Sequence, residues 1–217
     1  EYLAGRTPNP CVMCNTHIKW RALLKRANAL ECDFIATGHY ASVRQHTNNR
    51  YVISKGLDET KDQSYVLWGL DQELLSRTIM PLGQYHKKDI RQMAHDMGYP
   101  ELAKKSESYE ICFVPDNDYR GFLKRRVPTL QEEVKGGLFV DTKGNVLGKH
   151  EGYPFYTIGQ RKGLGIALGE PMYVTEIHPE TNTVVLGRDE DLQKTTMVVG
   201  GLNLIKYAEV PENLESV

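Results

Sequence analysis

The chain has 217 residues, of which 40% are hydrophobic and 25% are charged, a composition that is ordinary for a globular protein of roughly one to three domains. It contains no apolar run of about 18 residues, which excludes a membrane-spanning helix, and its formal net charge of −1 excludes a basic protein that coats nucleic acid over its whole surface. Four cysteines are too few for a disulfide framework at this length, so they predict a reducing, cytoplasmic environment.

The first predicted helix follows two closely spaced cysteines. Residues 7–10 form a proline-rich turn that holds the backbone extended, and apolar residues then recur at helical spacing over residues 20–30. Asn15 or Thr16 is predicted to be the N-cap of this helix. Cys14 would then lie beside the helix N-terminus, where the partial positive charge favours a thiolate, the reactive form of a sulfur nucleophile.

A short strand is predicted within residues 32–40, an apolar run that ends in Thr-Gly-His. Such a run is typical of a buried parallel strand, and ligands of open α/β sheets bind at the carboxyl ends of the strands. Gly38 at that end would allow a backbone or a ligand to approach closely. Further along, the polar stretch 56–65 is predicted to be a solvated loop that caps a helix through Asp62 or Ser64.

Two helices with basic residues are predicted in the middle of the chain. Apolar residues over 90–97 have the i, i+3, i+4, i+7 spacing of an amphipathic helix, and its Met93 and Met97 are predicted to lie in the core. A second helix is predicted over 119–127. Basic residues cluster in and near these helices, which in a near-neutral chain favours contact with a phosphate backbone. The clusters are Lys87, Lys88 and Arg91, then Lys104 and Lys105, then Lys124, Arg125 and Arg126.

Beyond the second of these helices the pattern changes to β-structure. Residues 139–147 predict a hairpin with a Lys-Gly-Asn turn, and residues 172–186 predict another. We therefore predict a separate β module that resembles a barrel and is truncated at its C-terminal end. Between the hairpins, residues 156–166 carry three glycines with Arg161 and Lys162, which indicates either a tight turn that presents cations to a phosphate backbone or a purely structural turn.

The Cys11-x-x-Cys14 pair allows three interpretations. A structural zinc site would need four ligands, and only His17 and Cys32 lie nearby. A thioredoxin-like dithiol would require a strand that leads into the cysteines, and none is predicted. In the third interpretation one of these thiols acts together with the distant Cys112, which is either a small buried hydrophobe or a reactive thiol on a mobile loop.

Five stretches form an ordered set of motifs along the chain. They are Gly5-Arg-Thr-Pro-Asn-Pro-Cys-Val-Met-Cys-Asn15, Thr37-Gly-His-Tyr-Ala41, Lys61-Asp-Gln-Ser-Tyr65, Ser106-Glu-Ser-Tyr-Glu-Ile-Cys-Phe113 and Ile158-Gly-Gln-Arg-Lys-Gly-Leu-Gly-Ile166. Together they closely resemble the motifs of the tRNA 2-thiouridylase family, MnmA/TrmU, and the resemblance covers almost the whole chain.

The resemblance implies a sulfurtransferase that acts on tRNA. Members of the family activate the C2 oxygen of the wobble uridine with ATP and Mg²⁺, and then replace it with sulfur from a cysteine persulfide supplied by a sulfur-donor protein. By motif match, Cys112 resembles the persulfide carrier and Cys14 its partner thiol. Either the persulfide attacks C2 directly, or Cys14 first reduces it to sulfide, and both routes require a thiolate at neutral pH. No membrane partner is expected, because the sequence has no apolar run of about 18 residues.

The resemblance also implies which residues bind the ligands. Gly38 would contact ATP. The implied tRNA contacts are Asn9, Pro10 and Cys11 around the target base, together with His39, Lys61, Asp62 and Gln63. The target uridine must leave its stack to be reached there. Some family members carry an aspartate where this chain has Cys11, so the acid/base role proposed for that aspartate is not carried over.

The implied fold is α/β, with a partial adenine-nucleotide-hydrolase-like (PP-loop) domain, a small central helical domain that binds tRNA, and a C-terminal β-barrel. The predicted boundaries are 1–80 plus 103–118, 81–102 plus 119–135, and 136–217, respectively. The chain begins without methionine, and the Ser-Gly-Gly-Val-Asp-Ser phosphate loop of the family would belong upstream of Glu1. We therefore expect a fragment that does not complete the reaction alone.

Two other functions stay open at the level of the sequence. The chain could be a non-catalytic RNA-binding module with structural cysteines, or a dithiol oxidoreductase that uses Cys11 and Cys14. Alkylation rates of the thiols would distinguish the first, and a Cys112→Ser variant would distinguish the second. A methyltransferase is not supported, because the sequence shows no glycine-rich loop that would hold its cofactor.

Overall fold

The computed structural model describes residues 1–105, 112, 114, 116 and 118–211. The chain folds into two compact units. The α/β unit comprises Asn9–Tyr109 and Val199–Val217, and the β unit comprises Glu1–Pro8 and Glu110–Val198. The boundaries of the three domains predicted from the sequence stay a prediction. In the described part of the chain, no helix has the length and the apolar character needed to cross a membrane.

The α/β unit begins with one helical run from residue 10 to residue 29. It consists of α1 (Pro10–Met13), a π-helical segment (Cys14–Trp20) and α2 (Arg21–Ala29). Proline is favoured at the first helical position because its missing N–H would have no partner there, so the run begins at Pro10 with Asn9 as its N-cap. The predicted N-caps Asn15 and Thr16 are wrong, since both lie inside the run and are buried.

Two small sheets follow the helical run. β1 (Ile35–Ala36) pairs in parallel with β4 (Thr78–Ile79), and β2 (Ala41–Gln45) pairs antiparallel with β3 (Tyr51–Lys55). The parallel strand predicted within residues 32–40 is confirmed, although its paired part is short. Helix α3 (Gln72–Ser76) leads into β4. The core joins the helical run to β1, to α3 and to the segment before α3, and it includes Val12, Trp20, Leu24, Ala27, Ile35, Leu67, Leu70, Leu74 and Leu75.

Helix α4 (Lys87–Asp96) confirms the predicted amphipathic helix, and α5 (Pro100–Lys104) packs against it. The predicted burial of Met93 and Met97 is wrong, because these residues are 43% and 72% exposed. Helical periodicity shows only that apolar residues share one face, whereas burial also requires another element to cover that face. No residue of α4 is buried.

The β unit contains the second predicted helix, α6 (Tyr119–Arg126), followed by α7 (Leu130–Glu133). Its strands are β5 (Gly137–Asp141), β6 (Val146–His150), β7 (Tyr173–His178) and β8 (Thr183–Gly187). They form one sheet in the order β6-β5-β8-β7. Both predicted hairpins are confirmed as antiparallel pairs, and β5 and β8 join them by pairing in parallel. The core includes Phe139, Phe155, Val174, Val184 and Leu186.

Hydrogen bonds between side chains and backbone carbonyls hold the C-terminal segment of the α/β unit, residues 199–211, in place. Arg50 donates to the carbonyl of Leu204 over 2.8 Å and to the carbonyl of Ile205 over 3.1 Å. The side chain of Ile205 packs against the core of the unit, and the amide of Asn203 donates to the carbonyl of Leu70 over 3.0 Å. The segment is therefore fixed by polar contacts as well as by apolar burial.

Candidate functional site

The two cysteines of the Cys-x-x-Cys pair lie at the start of the helical run. Cys11 is exposed at the second helical position, and Cys14 is partly buried; both thiols are free. The backbone N–H of Cys14 donates to the carbonyls of Pro10 and Cys11. Cys14 therefore lies beyond the first turn, within which the helix-terminal charge acts. The expectation that Cys14 lies beside the helix N-terminus is wrong, and Cys11 occupies that place.

Gly38 lies just beyond β1, at the carboxyl end of the parallel strand pair, where nucleotides bind in open α/β sheets. Gly38 is exposed, and a Cβ at this position would meet one side chain within 4 Å, that of Leu82 at 3.6 Å, which is an ordinary contact. The backbone at the end of this strand is therefore open to a ligand. This openness fits the predicted contact between Gly38 and a nucleotide.

His39 is a neutral imidazole at pH 7. Its Nδ1 lies 3.1 Å from the hydroxyl oxygen of Thr37, and its ring packs on Trp20 with the ring centroids 5.2 Å apart. Burial lowers the pKa of His39 from 6.5 to about 4, and the nearby charge of Lys19 acts in the same direction. His39 can therefore offer a ligand a hydrogen bond but not a positive charge.

The loop of residues 61–63, which holds three predicted tRNA contacts, is bonded to the backbone next to His39. The side-chain oxygen of Gln63 accepts a hydrogen bond from the N–H of Tyr40 over 3.0 Å. The N–H of Gln63 donates to the carbonyl of Tyr40 over 2.9 Å. The structure therefore brings this loop together with Gly38 and His39, and the tRNA contacts of these residues stay a prediction.

The cap of this loop differs from the sequence prediction. Asp58 caps the short 3₁₀ turn Glu59–Lys61 by accepting a hydrogen bond from the N–H of Thr60. Asp62 instead accepts from the hydroxyl of Ser64 over 2.6 Å, and Gln63 is the N-cap of the next 3₁₀ turn. The prediction of Asp62 or Ser64 as N-cap is therefore wrong.

A basic pocket of about 390 Å³ includes one residue of this loop. It is lined by Asp58, Lys61, His86, Lys87, Lys88 and Arg91. The carboxylate of Asp58 accepts the backbone N–H of Lys87 over 3.0 Å, and this bond, more than its bond to the Thr60 hydroxyl, holds the pKa of Asp58 below its usual value. Sequence patterns predict the basic cluster but not Asp58 or His86 as lining residues. The pocket forms only because the chain brings Asp58 to Lys87, which lies 29 positions further along the sequence.

Cys112 has an exposed free thiol and belongs to the β unit. The motif residues around it, 106–111 and 113, lie outside the described residues. Its predicted role as persulfide carrier, and its cooperation with Cys14, therefore stay proposals. Among the residues that the structure describes, no group of three or more His, Cys, Asp and Glu side chains gathers where it could hold a metal ion.

The glycine-containing segment 156–166 forms a turn in the β unit. The φ angles are positive at Gly159 (85°), Gly163 (72°) and Gly165 (74°). Residues with a side chain rarely adopt such angles, so the glycines are needed to make the turn. Arg161 and Lys162 are exposed on it. The predicted turn is therefore confirmed, and its contact with a phosphate backbone stays a prediction.

Comparison with known families gives two matches within the chain. Residues 1–116 match the tRNA methyl transferase HUP domain, and residues 120–188 match the tRNA methyl transferase PRC-barrel domain. These matches confirm the predicted nucleotide-hydrolase-like α/β domain and the predicted barrel. The central helical domain stays a prediction.

The chain is also similar to curated proteins named tRNA-specific 2-thiouridylase MnmA. It is 67% identical over 217 residues to the protein of Cytophaga hutchinsonii, 63% over 218 residues to that of Amoebophilus asiaticus, and 61% over 211 residues to that of Salinibacter ruber. The alignments cover 100%, 100% and 97% of this chain, and 58%, 58% and 55% of those proteins. The chain thus spans a little over half the length of these relatives.

Proposed function

The chain belongs to the tRNA-specific 2-thiouridylase family. From this membership we propose that it takes part in the transfer of sulfur from a cysteine persulfide to C2 of the wobble uridine of tRNA. The arrangement of the α/β unit is the observation that best supports the proposal. The free, partly buried thiol of Cys14 shares this unit with the open strand end at Gly38 and with His39. The loop 61–63 is bonded to the backbone next to that strand end.

The proposed chemistry uses two thiols. Cys112 would carry the persulfide received from a sulfur-donor protein. In the direct route the outer sulfur attacks C2 and the activated oxygen leaves; the thiolate of Cys14 then attacks the inner sulfur, which breaks the persulfide bond and forms a Cys14–Cys112 disulfide. In the other route Cys14 attacks the inner sulfur first and releases hydrosulfide, which attacks C2. Each turnover transfers one sulfur atom and leaves one disulfide, which an external thiol reduces.

ATP, with Mg²⁺, is the proposed cofactor, and a reducing cytoplasm is the proposed location. When bound, ATP supplies the adenylyl group that makes the C2 oxygen of uridine a leaving group. Gly38 is the residue of this chain that would lie against the nucleotide, because its backbone is exposed at the end of β1. The Ser-Gly-Gly-Val-Asp-Ser loop of the family is not among the 217 residues, so an assay of the complete reaction needs a protein that includes it.

The tRNA would meet both charged and neutral groups of the α/β unit. Asn9 and Cys11 are exposed at the start of the helical run, and the side chain of Asn9 makes no capping bond, so both can contact a flipped base. Lys61 lies in the basic pocket, which suits a phosphate group. The neutral imidazole of His39 suits a hydrogen bond to a base edge or a 2′-hydroxyl.

A single-turnover thiolation assay tests the proposal. The assay uses persulfide-loaded protein that includes the phosphate loop, with ATP and tRNA, and it measures 2-thiouridine by mass spectrometry. Cys14→Ser and Cys112→Ser should each reduce the rate by about 10³-fold or more, because neither route works with one thiol. Cys32→Ser is the matched control and should leave the rate unchanged, since Cys32 is exposed and its sulfur contacts a backbone carbonyl at 3.6 Å.

The same variants distinguish the alternative functions. A dithiol oxidoreductase would lose activity on substitution of Cys11 or Cys14 and keep it in Cys112→Ser. An RNA-binding module would bind tRNA equally well in every cysteine variant, and it would show no thiolation with wild-type protein. Either result would overturn the proposed function.

A further inference from the structure

Two polar residues directly after Cys14 are buried against one other segment of the α/β unit. Asn15 is 2% exposed and Thr16 is 7% exposed, and both lie in the π-helical segment. The amide nitrogen of Asn15 donates to the carbonyl of Val66 over 3.5 Å. Buried polar side chains are normally hydrogen-bonded, because an unpaired buried polar group lowers the stability of the fold.

Gly69 allows Thr16 to approach the same segment very closely. A Cβ at Gly69 would lie 2.2 Å from Oγ1 of Thr16 and 2.9 Å from its Cγ2. The φ angle of Gly69 is not among the positive values of the chain, so the need for glycine here is steric. The hydroxyl of Thr16 donates to the carbonyl of Val12 over 3.0 Å, which fixes the side chain that fills this space.

Asn15 has a feature that stability alone does not explain. Within the part of the chain that the structure describes, its buried side-chain oxygen has no hydrogen-bond partner. An unsatisfied buried acceptor lowers stability by about 1–3 kcal/mol, whereas an apolar side chain of the same shape would not. The residue also lies in a π-helical segment, and such segments occur frequently at functional sites.

The segment that receives these two side chains continues directly from the loop 61–63. The 3₁₀ turn Ser64–Leu67 packs against both α1 and the π-helical segment. Any rotation of the helical run about its axis at Cys14 would therefore require Asn15 to leave Val66 or Thr16 to leave Gly69. The contacts fix the angular position of Cys14 relative to the loop.

We propose that Asn15, Thr16 and Gly69 form a clamp that positions the thiol of Cys14 for sulfur transfer. They are positioning residues, which act through Cys14 and through the loop 61–63. The inference rests on the proposed function for its catalytic consequence. Its structural consequence, a fixed environment of the Cys14 thiol, can be measured without any turnover.

Gly69→Ala tests the clamp, because the added Cβ must displace Thr16. We expect the alkylation rate of Cys14 by iodoacetamide, measured by peptide mass spectrometry relative to Cys32 in the same molecule, to change by about fivefold or more. The single-turnover thiolation rate should fall by about 10- to 100-fold, while the KM for tRNA changes by less than about twofold, because the thiol is misplaced and the RNA surface is intact. Gly200→Ala is the matched control, since a Cβ there meets nothing within 4 Å.

A compensating change separates positioning from a general loss of structure. Thr16→Ala removes the two atoms nearest to the added Cβ, so the double variant Thr16→Ala/Gly69→Ala should recover both the alkylation ratio and most of the thiolation rate. If the Gly69→Ala chain is folded by circular dichroism and both values equal those of wild type, the clamp is wrong. Failure of the double variant to recover either value would also overturn it.

Asn15→Leu provides a second test that does not depend on Gly69. The variant should change the free energy of unfolding by less than about 1 kcal/mol, because removal of the unsatisfied acceptor offsets loss of the long 3.5 Å bond to the Val66 carbonyl, and it should still lower the thiolation rate by about 10-fold or more. An unchanged rate would contradict the proposal. If wild-type protein shows no thiolation at all, the proposed function fails, whereas the alkylation ratios still decide whether the clamp exists.

Discussion

The indole N–H of Trp20 donates a hydrogen bond to the hydroxyl oxygen of Thr78 over 2.8 Å. That hydroxyl donates in turn to the carbonyl of Leu74 over 2.6 Å. Trp20 is the last residue of the π-helical segment and Thr78 is the first residue of β4. This buried chain of bonds therefore ties the cysteine-bearing helical run to the strand pair whose first strand is followed by Gly38.

Thr78→Val tests the strength of this tie. Valine keeps the shape of threonine but leaves the buried indole N–H without an acceptor, so the free energy of unfolding should fall by about 1–3 kcal/mol. Urea unfolding followed by tryptophan fluorescence measures the change. Thr47→Val, at an exposed position, should change the value by less than about 0.5 kcal/mol. Equal stability of the two variants would show that the bond contributes nothing.

The low pKa of His39 predicts a loss of stability in acid. The pKa is 6.5 in an unperturbed residue and about 4 in the folded chain, because burial disfavours the charged ring. Between these values the unfolded chain binds a proton that the folded chain does not, so the free energy of unfolding falls as the pH is lowered from about 6.5 to about 4.

Tryptophan fluorescence can measure the unfolding of the α/β unit at each pH, since both tryptophans, Trp20 and Trp68, lie in that unit. His39→Gln should remove part of the pH dependence between these values. An NMR titration of the ring should find its midpoint near 4. A midpoint above 6 would contradict the neutral hydrogen-bonding role proposed for His39.

The basic pocket predicts a salt-dependent contribution to tRNA binding. Lys88→Ala removes one cation from the lining of the pocket, so affinity should fall uniformly across tRNA species, and the slope of log K against log salt should become shallower by about one. Filter binding at several salt concentrations measures both quantities. Lys25→Ala, at an exposed position of α2, is the control and should leave the slope unchanged. Equal slopes for the two variants would show that the tRNA phosphates do not contact the basic pocket.

The hydrogen bonds that Arg50 donates to the C-terminal segment should protect this segment from proteolysis. Arg50→Ala removes two bonds to the carbonyls of Leu204 and Ile205, so local opening should become easier by about 1–2 kcal/mol, and trypsin should cleave after Lys206 roughly 5- to 30-fold faster. Arg44→Ala is the matched control, because Arg44 lies on the same hairpin and bonds instead to Ser54. Similar cleavage of both variants would show that Arg50 does not hold the segment.

Local patterns in the sequence predicted several elements well. The helix over 119–127 and the hairpins over 139–147 and 172–186 depend on neighbouring residues, and the structure places them where the periodicity indicates. The start of the first helix was predicted too late, because the preference of Pro10 for the first helical position outweighs the preference of Asn15 for a cap.

Contacts between distant segments could not be predicted in the same way. The apolar spacing of α4 gives no information on whether another element covers Met97. The approach of Thr16 to Gly69 and the hydrogen bond that the N–H of Lys87 donates to Asp58 join residues that no local pattern connects. The resemblance to a family indicated residues such as His39 and Gln63, but only the structure shows that Gln63 bonds to the backbone beside His39.

The most direct test of the account is a count of disulfides after one turnover. Persulfide-loaded protein that includes the phosphate loop is mixed with ATP and tRNA in the absence of reductant, and its peptides are then mapped by mass spectrometry. The account predicts one Cys14–Cys112 disulfide for each 2-thiouridine formed, with Cys32 still free. Formation of 2-thiouridine while Cys14 and Cys112 both remain thiols, or with a Cys11–Cys14 disulfide in their place, would contradict it.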